Sequence, residues 1–239
     1  MKAYFGLNST PVDPHQKWVD FCAYPPRIIA CDTETISSRD QTIVGLAIAY
    51  TPNDAFYWSA DDPDLYVALA LLRDPQVQKI YHNAAFDLRV LRPYKVSAQN
   101  TDDTAIIRRL QRKAVPLDEV GPEYNIPVEQ AKAFMTRLHI PTMDKAPFME
   151  LAPKCAKDAL CTFAVYADES KQEVLSYYQR FERPLLPWLD FMSGKGIALD
   201  QTVRQQLEDF YSTEELYYRM VALNMGFKIS SPFEVGFML

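Results

Sequence analysis

Asp32 and Glu34 stand two apart in IIACDTET, Asp87 lies in YHNAAFDLRVL, and Asp158 lies in KCAKDALCT. Each carboxylate sits beside an apolar run, where an unpaired charge is costly. If the fold brings them together, a pair of divalent cations is their natural partner and phosphodiester hydrolysis the natural chemistry. Side chains two apart on a strand share a face, so Asp32 and Glu34 project together with Ile28 and Ala30. Alone, such a pair reads as a strand end entering a polar turn. Asn83 and Asp87, four apart, share one helix face, and Asn83 is also a good helix cap. Asp158 aligns by helical spacing with Leu151, Lys154, Cys155 and Thr162, and alone reads as a solvated helix residue. His82 reads as a strand-end histidine rather than a metal ligand.

The elements that must position these groups follow from periodicity and punctuation. Residues 1–26 carry PVDPH and YPP and read as a lead-in, with one short helix around Gln16–Phe21. RIIACDTE, TIVGLAIAY and DAFYWSA then form an antiparallel meander with the first strand central. Asp62-Pro63-Asp64 starts a helix over DLYVALALLR. A short strand VQKIYH, the helix NAAFDLRVL, a strand VSAQNT and the helix DDTAIIRRLQRK come next. Pro116 to Pro153 is helical but broken, and a long helix runs from about Pro153 through Tyr178. The pattern predicts an α/β domain with a five-stranded mixed sheet and flanking helices over residues 1–180, then a helical extension over residues 181–239. In that extension RPLLPWLDFM and QTVRQQLEDFYSTEELYYRMVAL form a hairpin about Gly194-Lys195-Gly196. Ser231-Pro232-Phe233-Glu234 has the form of a helix start, as expected of a fragment or a split-gene product.

Composition narrows the partners. With 239 residues, 48% of them hydrophobic, the chain builds one substantial core or one domain and part of a second. Its four cysteines show no metal-ligand or redox spacing, and with three scattered histidines a zinc site is not expected. No apolar stretch is long enough to span a bilayer, and MKAYFGLNST lacks a signal-peptide pattern. A net charge of −6 argues against coating duplex DNA by bulk electrostatics, though not against gripping one strand end.

The order of these motifs carries a resemblance. CDTET followed by TIVGLAIAY resembles the first exonuclease motif of the proofreading domain of family A DNA polymerases. HNAAFD is similar to the second motif, and Ala156, Asp158, Ala159 and Thr162 to the third. DDTAIIRRL and PLDEVGPEY resemble the intervening stretches, while FERPLLPWLDFMSGKGIALD and FKISSPFEVGFML resemble the polymerase segment that precedes the thumb. The resemblance implies an RNase H-like (DnaQ-like) fold in which Asp32, Glu34, Asp87 and Asp158 bind two Mg2+ or Mn2+ ions. It implies removal of nucleoside monophosphates from the 3′ end of single-stranded DNA, for a polymerase domain or polymerase chain, in the cytoplasm of a bacterial or phage-infected cell. Thr33, Asn83 and Phe86 are candidate substrate contacts, and Arg108 is a candidate phosphate guide. For Phe86 a place in the core, and for Arg108 a solvated helix face, are the competing readings. An exoribonuclease of the D-type class and an inactive exonuclease fold serving as a polymerase scaffold are the alternative functions.

One position departs from the family pattern. Where a tyrosine usually stands four residues before the third-motif aspartate, this chain has Lys154, a catalytic candidate. Its ammonium either lies near the scissile phosphate, or pairs with Asp158 or meets solvent, leaving turnover slow. Reduced but real activity is expected, since all four acids remain. Lys154→Tyr should therefore raise the rate on single-stranded DNA with magnesium or manganese; an unchanged rate would remove catalytic weight from the substitution.

Overall fold

Alternation along one strand sets the architecture. In the computed structural model, which describes residues 1–7, 13–170 and 173–226, Ile29 and Cys31 enter one hydrophobic cluster and Ala30 enters another. The strand that carries them, β2 (Ile28–Thr35), is thus buried on both faces, and the chain packs helices on each side of a sheet. The sheet has six strands: β1 (Lys2–Gly6), β2, β3 (Ile43–Ala49), β4 (Asp54–Ser59), β5 (Gln78–Tyr81) and β6 (Thr101–Asp103), in the order β1-β4-β3-β2-β5-β6. The meander β2-β3-β4 is antiparallel, while β5 and β6 run parallel to β2. β2 is central, as expected from the sequence.

The expected five strands become six because the lead-in contributes β1. Lys2 through Gly6 pair antiparallel with Trp58 through Asp54, so backbone pairing orders a segment whose side chains show little periodicity. Ten α-helices are seen among the described residues: α1 (Pro14–Ala23), α2 (Leu65–Arg73), α3 (Ala84–Leu91), α4 (Thr104–Leu110), α5 (Leu117–Val120), α6 (Ala131–Leu138), α7 (Phe148–Glu169), α8 (Val174–Tyr177), α9 (Leu186–Lys195) and α10 (Gln201–Asn224). Phe21 of α1, Leu72 of α2 and Leu88 of α3 join the cluster on one face, with Phe56 and Trp58. On the other face, α7 lies over a floor of small residues, Ala30, Ala47, Ala49 and Ala55. Such a floor lets a helix backbone approach closely. α7 begins before Pro153 and ends at Glu169 rather than Tyr178, so the proline lies inside it. The ring withholds a partner from the carbonyl of Met149, which stands on a solvent-exposed residue.

The contact division of the chain falls between Lys195 and Gly196, later than the expected boundary near Phe181. α9 belongs to the first unit, where Arg92 Nη2 donates to the Asp190 carbonyl at 2.8 Å and pairs with its carboxylate at 2.5 Å. The second unit contains α10, capped by Asp200, whose carboxylate accepts from Thr202 N and Val203 N. The expected helix start at Ser231 lies outside the described residues.

Arg108, read from the sequence as a solvated helix face or a candidate phosphate guide, is neither: it is 1% exposed. Its guanidinium donates to Glu123 Oε1 at 2.7 Å, Glu169 Oε1 at 3.3 Å and the Ala114 carbonyl at 2.5 Å. Lys113 Nζ also meets Glu169 Oε1, at 2.8 Å. The arginine thus ties α4 to the end of α7 and is closed to a nucleic-acid phosphate. Truncating one partner of a buried ion pair leaves the other uncompensated. Arg108→Ala should lower unfolding free energy by about 3 kcal/mol in a denaturant titration, without changing the salt dependence of strand binding.

Candidate active site

Two faces of one strand and two helices build the site. Asp32 and Glu34 project to the α7 face, and Thr33 projects to the opposite face, toward α3. Thr33 N and Thr33 Oγ1 both donate to Asp87 Oδ1, at 3.0 and 2.7 Å. Thr33 is buried, so its hydroxyl positions Asp87. From α7, Lys154 Nζ pairs with Glu34 Oε1 and with Asp158 Oδ2, the latter at 2.8 Å. Asp32, Glu34, Asp87, Asp158 and Lys154 all line one cavity of about 660 Å³. The fold brings together the side chains that the sequence singled out in three separate segments.

Asn83 and Phe86 line the same cavity. Asn83 precedes α3 with φ 72, a left-handed conformation that Asn tolerates. Its side chain makes no cap hydrogen bond; the capping is done by Asp103, whose carboxylate accepts from Asn83 N at 3.1 Å and Ala84 N at 2.9 Å. The same carboxylate accepts from Ala105 N at 2.9 Å and so caps α4 as well. One buried acid therefore sets the start of both helices, including the one bearing Asp87. In DDTAIIRRLQRK Asp103 reads as part of a helix; its position just before TAIIRRL is the signal that identifies it as a cap. His82 is occupied at both nitrogens, by Thr104 Oγ1 at 2.8 Å and the Val115 carbonyl at 2.6 Å.

Burial and crowding dominate the electrostatics. Burial pushes the Asp32 carboxyl well above the usual range, and Asp158, Glu34 and Asp87 push it further. Burial raises Asp87 to about 7 against the pull of Thr33. Burial raises Asp158 to about 6, with Lys154 opposing. Cys155, which the sequence offered only as a buried thiol, lies with its Sγ 3.4 Å from Asp32 Oδ2. Burial and the neighbouring carboxylates keep that thiol protonated, so it donates to Asp32 rather than binding a hard cation as thiolate.

The residues fit a divalent cation on two observations. Asp158 Oδ1 is buried and has no hydrogen-bond partner, an unsatisfied acceptor of the kind that a bound cation relieves. One ligand atom each from Asp32, Glu34 and Cys155 lie within 4.8 Å of one another, and this is the metal-compatible group found among the described residues. Its oxygen donors suit magnesium or manganese.

A family model described as 3′-5′ exonuclease, of DNA polymerase A type, matches residues 12–168, more than half of the chain. The chain belongs to this exonuclease family. Among curated proteins, a DNA polymerase I from Rhizobium leguminosarum is 25% identical over 189 residues. That match covers 70% of this chain and 18% of the polymerase's length. Among solved structures, NrnC of Brucella melitensis bound to pGG superposes with a TM-score of 0.54 at 21% identity, over 72% of this chain and 85% of that one. The POL domain of Pol1 from M. smegmatis, in complex with DNA primer-template and dNTP, gives 0.55 at 17% identity, over 95% of this chain and 40% of that one. The catalytic core of RRP6 from Trypanosoma brucei gives 0.55 at 15% identity, over 78% and 54%. These structural likenesses are of fold: a mixed sheet with flanking helices, as in RNase H-like exonucleases. Among the described residues no helix is long and apolar enough to cross a membrane.

The shifted carboxyls give this exonuclease domain a pH-dependent stability when metal-free. An acid whose folded pKa is raised holds a proton that the unfolded chain has already lost, so its stabilising contribution is full below about 4 and lost as pH rises through the folded value. For Asp87 and Asp158 that window runs from about 4 to about 7 and about 6 respectively. In chelator, the melting temperature should fall across this window, and Asp87→Asn, which cannot ionise, should fall less.

Proposed function

We propose that this chain is a divalent-metal-dependent 3′–5′ exonuclease that removes nucleoside monophosphates from the 3′ end of single-stranded DNA, as the proofreading part of a family A DNA polymerase. The observation that carries this reading is the convergence of Asp32, Glu34, Asp87 and Asp158 on one cavity, with one of their carboxylate oxygens, Asp158 Oδ1, left without a hydrogen-bond partner. The four acids are the residues that would hold divalent cations, two in the arrangement general to phosphodiester cleavage. Bound there, such cations supply Lewis-acid charge to the scissile phosphate and to the attacking and leaving oxygens.

The chain's own groups do the rest. Thr33 fixes Asp87 through two hydrogen bonds. Phe86, Val128 and Met135 line the cavity with apolar surface, against which unstacked terminal bases find support. Asn83, exposed at the cavity, offers an amide to a nucleotide. With a net charge of −6 the protein does not hold duplex by bulk charge, which suits engagement of a strand terminus. The polymerase partner is supported by the DNA polymerase I relative and by the polymerase-like segments after Phe181.

A second reading, an exoribonuclease, is favoured by the folds it shares with NrnC bound to pGG and with RRP6. End-labelled DNA and RNA single strands of one sequence separate the two. DNA should be shortened from its 3′ end to mononucleotides, faster than RNA, and both chelator and Asp32→Ala/Glu34→Ala should reduce cleavage to background. Preferential RNA degradation would favour the second reading, and cleavage that survives chelation would sink the metal-dependent mechanism.

A further inference from the structure

The cation that the structure does show among the four acids belongs to the protein. The Lys154 side chain is 7% exposed, and its Nζ bridges Glu34 Oε1 and Asp158 Oδ2. Among the described residues no other lysine or arginine forms an ion pair with Asp32, Glu34, Asp87 or Asp158. An ammonium is a compact point charge carrying donors only. It satisfies two carboxylates as a metal ion would, but offers no open coordination position. A divalent ion shared by Glu34 and Asp158 would need the place this ammonium fills, and cation–cation repulsion grows steeply at such separations. Asp32 forms no ion pair with Lys154, and with Glu34 it supplies the oxygen donors of the metal-compatible group, while Asp158 Oδ1 has no hydrogen-bond partner.

We infer that Lys154 is a resident cation that takes the place of one of two divalent ions, so that this site binds a single divalent ion beside Asp32. The inference rests on the metal-dependent exonuclease reading above and narrows its ion count from two to one. It gives the lysine a physical role in its position: offsetting part of the negative charge of Glu34 and Asp158, whether or not metal is present. The folded site then tolerates the metal-free state better than carboxylates alone would. The ammonium is also left at the cavity wall, where it adds positive charge to the surroundings of a bound phosphate.

Counting ions tests this without recourse to turnover. The chelator-stripped 239-residue chain is titrated with Mn2+, and free ion is followed by electron paramagnetic resonance. The wild type should bind one Mn2+ per chain and Lys154→Met, which keeps the stem and removes the charge, should bind two. Lys154→Arg should stay at one. Melting in chelator and in saturating Mg2+ gives a second readout: Lys154→Met should melt lower than wild type without metal and gain more from Mg2+, because ligand that binds only the folded state stabilises it. Two ions bound by the wild type, or no more ions bound by Lys154→Met than by wild type, would overturn the resident-cation inference. Two ions bound alongside chelator-sensitive strand cleavage would leave the exonuclease reading standing, whereas no Mn2+ bound by either protein would overturn both.

Discussion

Four carboxylates brought together at one strand and two helices repel one another, and the rest of the site is arranged around how that repulsion is relieved. Water does little for three of them, since Glu34, Asp87 and Asp158 are buried, while Asp32 is half-buried. Burial does part of it, raising the carboxyls of Asp32, Asp87 and Asp158 and so favouring their protonated forms. Hydrogen bonding does part, through Thr33 on Asp87 and the Cys155 thiol on Asp32. The Lys154 ammonium does a third part, across Glu34 and Asp158. The remedies overlap on Asp32, Asp87 and Asp158, yet no hydrogen bond or ion pair reaches Asp158 Oδ1. A buried negative cluster with one oxygen left over suits an added cation, and this agrees with membership of an exonuclease family.

Positioning of the acids is divided between short-range and long-range devices. Asp32 and Glu34 need only the pleat of β2 to face α7. Asp87 depends on three segments at once: α3 that carries it, Thr33 that grips it, and Asp103 that starts its helix. The double cap by Asp103 links β6, α3 and α4 at one point. The chemistry therefore leans on residues that never meet a substrate.

The acids and their order were readable in the sequence because period-two and period-four spacing dictate faces directly. The central place of β2 was readable for the same reason, from the run IIACDTE followed by two further strand patterns. What escaped depends on partners distant along the chain. The Lys154–Asp158 pair lies within one helix turn and was anticipated as one alternative, but Glu34 is 120 residues away and was not. Arg108 reads as a solvated basic face until Glu169, 61 residues later, closes over it. β1 owes its order to the backbone of β4 rather than to its own pattern. The start of α7 was misplaced because Pro153 reads as a helix beginning, whereas burial of Leu151 and Ala152 holds the turn before it.

The alanines beneath α7 set a length scale for the reaction centre. Ala30, Ala47, Ala49 and Ala55 present single methyl groups to the helix, so the stand-off between strand and helix is fixed by the smallest side chain that still has one. Asp32 and Glu34 project from the floor of that gap and Asp158 from its roof. The gauge of the gap, rather than any one carboxylate, decides whether an object the size of an ion can touch both sides. A branched residue at any of these floor positions would leave every acid in place along the chain, yet widen the jaw past the span that a cation can bridge.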